Sequence, residues 1–234
     1  MIQTYNLEDL ERYRELARPT MQSLKRDILH THYLKDGVRL IGGGAPSLMT
    51  VLATLPAAAT ANTYTTAQSI LSSTTTNQTS IGPFSTDYFK TTGATWEQEA
   101  MGIISVTSAT TPTFAMGTYY GVVIGTVTTV LCITAAQTTI SGMQNVNWYW
   151  NAFGHTRTIT GTTGTMLCTG ILIGQLAIAA AGNNSIYAVN ATPPTAVTTD
   201  FSTNVFIDLK GTWGTSASTN TTTVNFYNLK SLYA

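Results

Sequence analysis

Beyond about residue 80, Gly, Asn and Pro cut the chain into short stretches of alternating apolar and polar residues, and this pattern restricts the fold most tightly. In VNWYWNAF, positions 146–153, Val146, Trp148, Trp150 and Ala152 share one face. A period of two is the repeat of a β-strand, whose successive side chains point to opposite sides. Similar segments lie on either side. TFAMGTYYGVV and TVTTVLCIT are divided at Gly125, and HTRTI leads through a GTTG turn at 161–164 into TMLCTGILI. IYAV runs into the loop ATPPT, and NVFIDLKGTW turns Val205, Ile207 and Leu209 inward. A GTSASTN loop then joins it to TTTVNFYNL. Short strands spaced in this way indicate a mainly β body, an antiparallel β-sandwich or barrel, with sequential strands paired because their loops are short.

Threonine supports this reading. It supplies 46 of 234 residues, and its branched side chain suits a pleated surface better than a helix. Charge is scarce at 9%, against about 25% in typical soluble domains. It is also unevenly placed: 13 of the 22 Asp, Glu, Lys and Arg residues lie at or before Arg39. A neutral, Thr-faced exterior suits a protein covered by neighbouring subunits.

The charged beginning reads as an arm, residues 1–40. Asn6 can cap a helix, with Glu8 and Asp9 in the first turn where the helix dipole favours acids. Leu7, Leu10, Ala17, Met21, Leu24 and Ile28 recur at helical spacing with Tyr13 beside them, and Pro19 interrupts the pattern. Two short amphipathic helices, near 7–17 and 20–31, are therefore expected. Their stripe packs either on the body or on another subunit. Residues 41–81, opening with IGGGAPS and continuing Ala- and Thr-rich, read as an extended linker. The β-sandwich domain is expected over 82–234.

Several functions find no support in the residues. His30 and His32 form an H-x-H pair without a third ligand nearby, so no metal site is expected. His155 has no Ser or Asp placed to make a triad. Glu97 and Glu99 alternate along a strand, point the same way and are expected to be solvated. IGGGAPS lacks the Lys of a phosphate loop. From position 82 onward there are only four basic residues, Lys90, Arg157, Lys210 and Lys230, so no nucleic-acid partner is expected. The apolar run at 170–182 is far short of the roughly 20 residues that span a bilayer, and no secretory signal precedes the arm, so no membrane partner is expected either. Cys132 and Cys168 sit in apolar runs and read as buried free thiols. No enzyme activity and no cofactor are expected.

Two aromatic positions leave a different function open. Trp148 and Trp150 belong to the core by their alternation, and Tyr149 and Phe153 face the other way. A ring on an exposed face can stack against a sugar.

Two longer stretches, VTTVLCITAAQTTISGMQNVNWYWNAFGHTRTITGTTGTMLCTG and TDFSTNVFIDLKGTWGTSASTNTTTVNFYNL, resemble jelly-roll modules found in virion structural proteins of tailed bacteriophages. These include head decoration (cement or spike) proteins and small tail-associated proteins. The likeness lies in the W-x-W strand, the G-T-x-G hairpin and the terminal pair joined through WGTSASTNT, and covers about residues 110–234. It implies a jelly-roll-like sandwich that forms a homotrimer and is anchored through its N-terminal part to the major capsid protein or another virion subunit. The protein would then be made in a host cytoplasm and reside in the virion. A tail-associated receptor- or glycan-binding module is the alternative.

Overall fold

Among the described residues, thirteen strands pair into two sheets. The structure is a computed structural model. It describes residues 50–54, 59–62, 64–71, 82–106, 111–123, 127–176, 185–190, 194–215, 217 and 219–233. Leu7, Leu10, Tyr13, Ala17, Met21, Leu24 and Ile28, and with them the expected helical arm, lie outside these residues.

The large sheet has eight strands. Its main path runs β1 (Thr50–Thr54), β13 (Thr221–Tyr233), β4 (Thr95–Ser105), β8 (Val146–Thr160), β9 (Thr163–Gly174) and β10 (Ser185–Val189). In addition β2 (Ala59–Asn62) pairs with β13, and β11 (Val197–Asp200) with β9. The small sheet orders β3 (Gln68–Ser69), β12 (Phe206–Trp213), β5 (Thr113–Gly121) and β6 (Thr129–Ile133), with β7 (Gln137–Thr138) also on β5. The ladders are antiparallel, so the expected β-sandwich is the observed architecture. Among the described residues the only helical turn is a 3₁₀ turn at Thr86–Tyr88.

The alternation in VNWYWNAF does set its faces. Trp148, Trp150 and Ala152 are buried in the interior. The strand is longer than that segment and runs to Thr160 without a break. Its hairpin turn is Gly161–Thr162, shorter than the four-residue GTTG turn, because Thr163 already pairs with Thr160. Gly161 has φ +63°, a conformation that side chains with a Cβ disfavour. Across the interior, Trp96, Trp150, Tyr227 and Leu229 of the large sheet share one core with Phe114, Met116, Ile207, Leu209 and Trp213 of the small sheet.

Two sequence expectations need adjustment. Part of the stretch read as linker belongs to the sheets: β1, β2 and β3 lie within positions 50–69, and Tyr64, Ile70 and Leu71 are in the core. Strand β12 was expected to bury one face, yet every residue from Val205 to Gly211 is buried. Phe206 packs with Tyr119 and Val127 in a second, smaller cluster. Beside it lie Asp208, which accepts a hydrogen bond from the Ser69 hydroxyl at 2.8 Å, and Lys210, whose ammonium sits 5.4 Å from the Tyr119 ring centre.

Candidate functional site

The outer face of the large sheet carries the most developed group of chemical side chains. Strand alternation sends residues 97, 99 and 101 of β4 and residues 149, 151 and 153 of β8 to this face, and the register lines them up in rows. One row is apolar: Phe226, Met101, Tyr149, Ile173 and Ile186 are successive cross-strand neighbours over five strands. At the usual strand spacing it extends roughly 19 Å. Phe226, Met101 and Ile186 are 38%, 44% and 69% exposed.

The next rows are polar. Lys230 reaches both acids of β4, with its ammonium 2.5 Å from Glu99 Oε2 and 3.4 Å from Glu97 Oε2. Asn151 Nδ2 donates to Glu97 Oε1 at 2.8 Å and to the Tyr149 hydroxyl at 3.3 Å. That hydroxyl donates to Glu99 Oε1 at 3.1 Å. The hydrogen bond from Lys230 holds the Glu99 carboxyl below the usual carboxylate range, and Glu99 in turn raises the Lys230 ammonium. Burial, then the bond to Glu99, raises the Tyr149 phenol. The acids were expected to be solvated. They share a face as expected, but Lys230 and Asn151 cover them, leaving the side chains of Glu97 and Glu99 only 16% and 22% exposed.

Tyr149 and Phe153, the sequence's candidates for sugar stacking, do share this face. They are four residues apart on one strand, roughly 13 Å, so they do not form one platform. The Tyr149 hydroxyl is held in the polar network. Phe153 is 47% exposed and borders a cavity of about 350 Å³ walled also by Trp96, His155, Leu167, Pro194 and Leu232. A second groove, of about 270 Å³, is lined by Tyr120, Thr129, Thr163, Thr199 and Asp200.

Sequence reasoning missed Lys230, whose partners stand more than 130 positions earlier in the chain. The one available signal was its place on the same alternating face as Asn228 in NFYNLKSL. Among the described residues no three His, Cys, Asp or Glu side chains gather as metal ligands. His155 lies on the cavity wall.

No family model, no curated protein and no solved structure matches the chain. The geometry therefore carries the functional reading. A Glu–Lys–Asn–Tyr network, in which one ammonium is shared by two carboxylates, lies beside an apolar row and an open apolar cavity.

Proposed function

We propose that this protein is a structural subunit of a virion, a jelly-roll-like decoration protein that covers a bacteriophage capsid as a homotrimer and is anchored by its N-terminal arm. The observation that carries the reading is the row Phe226–Met101–Tyr149–Ile173–Ile186 on the outside of a body poor in charge. Monomers rarely leave a contiguous apolar strip in water, and such strips mark contacts between proteins. Of the nine charged residues beyond Arg39, Lys230 offsets one of the two carboxylates Glu97 and Glu99, and Asp208 and Lys210 are buried. What is left presents few charges to repel a second copy, and closed symmetry is the norm for such self-association.

The arm supplies a separate attachment in this reading. Leu7, Leu10, Tyr13, Ala17, Met21, Leu24 and Ile28 give it an apolar stripe, and its alternating charges set register against a partner. Light scattering of the purified chain tests the self-association. The expected result is a trimer that Met101→Glu with Ile186→Glu converts to a folded monomer. A wild-type monomer at micromolar concentration would remove the apolar row from the account.

A second reading, a tail-associated glycan-binding module, draws on Phe153. Its exposed ring borders an apolar cavity, a surface on which the apolar face of a hexose can stack. Binding of neutral oligosaccharides that Phe153→Ala abolishes would favour this reading over decoration.

A further inference from the structure

The two cysteines belong to opposite sheets and face the same interior. Cys132 on β6 is opposite Thr118, whose hydroxyl crosses the core to Gln98 of the large sheet. Cys168 on β9 is opposite Gly154, which has no side chain to intervene. Both are free, buried members of the main core cluster. Asn190 ties their backbones together: its Nδ2 donates to the Cys168 carbonyl at 3.0 Å, and its Oδ1 accepts from the Ile133 amide at 3.2 Å. The Asn190 amide also donates to the Ile133 carbonyl at 3.0 Å. Asn190 holds φ +65°, a left-handed conformation that Asn tolerates better than most residues. One side chain thus bridges β6 and β9 beside both cysteines.

We propose that Cys132 and Cys168 are a latent disulfide site, closed by a peroxide into a covalent link between the two sheets. Burial, and after it the neighbouring Cys132 thiol, raises the Cys168 thiol. At neutral pH that thiol stays protonated, so the pair is slow to react and survives reduced in a cytoplasm. When hydrogen peroxide reaches one sulfur as thiolate, the sulfur takes one oxygen to become a sulfenic acid. The departing hydroxide takes up the thiol proton as water. The second sulfur then attacks the sulfenic sulfur, the S–S bond forms, and a second water leaves. Two thiols are oxidised and one peroxide is reduced.

The bond would close positions 132–168 into a loop and raise the unfolding temperature by roughly 10 °C, mainly by restricting the unfolded chain. The site stands apart from the particle role proposed above and needs no partner.

The test uses the full-length chain, treated with hydrogen peroxide, alkylated under denaturing conditions and digested without reductant. The expected result is one linked peptide pair containing Cys132 and Cys168. It should be accompanied by a higher melting temperature that dithiothreitol reverses and that a Cys132→Ser variant never gains. Asn190→Ala should slow the linkage. Thiols that remain fully alkylated, sulfinic or sulfonic acids in place of the link, or cross-linked dimers would each overturn the proposal.

Discussion

The Thr118 hydroxyl of the small sheet donates a hydrogen bond at 2.5 Å to the carboxamide oxygen of Gln98 in the large sheet, across the middle of the core. The same oxygen accepts from Trp150 Nε1 at 3.1 Å, and the Gln98 amide donates to the Tyr227 hydroxyl at 3.2 Å. Gln98 is fully buried, so no water replaces these bonds if they are lost.

Replacing Gln98 by Leu should therefore cost far more than a volume-conserving core change. Three buried polar groups lose a partner, each at about 1–3 kcal/mol, and a loss of about 4 kcal/mol is expected in urea unfolding. A loss below about 1 kcal/mol would mean that the network adds little to holding the sheets.

Gly154 is needed for packing. A Cβ placed there would lie 1.9 Å from the Trp96 ring. Gly154→Ala should destabilise by about 3 kcal/mol or more, since a packed interior has no room to shift. Adding Trp96→Leu should recover part of that loss, because the two changes share one contact. Strictly additive effects would contradict the contact.

Alkaline titration probes two other core groups. Burial raises the phenols of Tyr64 and Tyr227, so the folded protein keeps both protons where the unfolded chain releases them. Their contribution is complete below the unfolded value of about 10 and is lost as pH rises above it, at about 1.4 kcal/mol per pH unit for each tyrosine. Tyr64→Phe should make the fall shallower. An unchanged slope would place its source elsewhere.

The Glu99–Lys230 pair acts at the opposite end of the scale. The carboxyl of Glu99 is depressed, so its contribution is present above the unfolded value of about 4.3 and is lost as pH falls through the folded value. Lys230 is raised, so its part is present below about 10.4 and lost as pH climbs through the folded value. Glu99→Gln should flatten the acid limb of a stability profile and leave the midpoint near neutrality little changed, because the pair is partly exposed. A variant whose acid limb matches the wild type would remove Glu99 from the acid response.

The sheets were legible wherever large apolar residues alternate with polar ones. Trp148, Trp150 and Ala152 were assigned inward by spacing alone, and they are buried. Strands β1 and β2, TVLAT and ATAN, escaped because Ala and Thr give almost no contrast between faces. The two-sided burial of β12 escaped for a different reason. Asp208 and Lys210 read as solvent-facing until Ser69 and Tyr119, far away in sequence, come to lie against them. The Glu97–Glu99–Lys230 cluster is likewise a product of register between β4 and β13, and local periodicity carries no information about register between distant strands.

Counting this protein in purified phage particles, by quantitative mass spectrometry against the major capsid protein with immunogold labelling for position, tests the virion role most directly. Decoration of the capsid predicts hundreds of copies distributed over the head, lost when residues 1–40 are deleted. A handful of copies at the tail, or none in the particle, would contradict it.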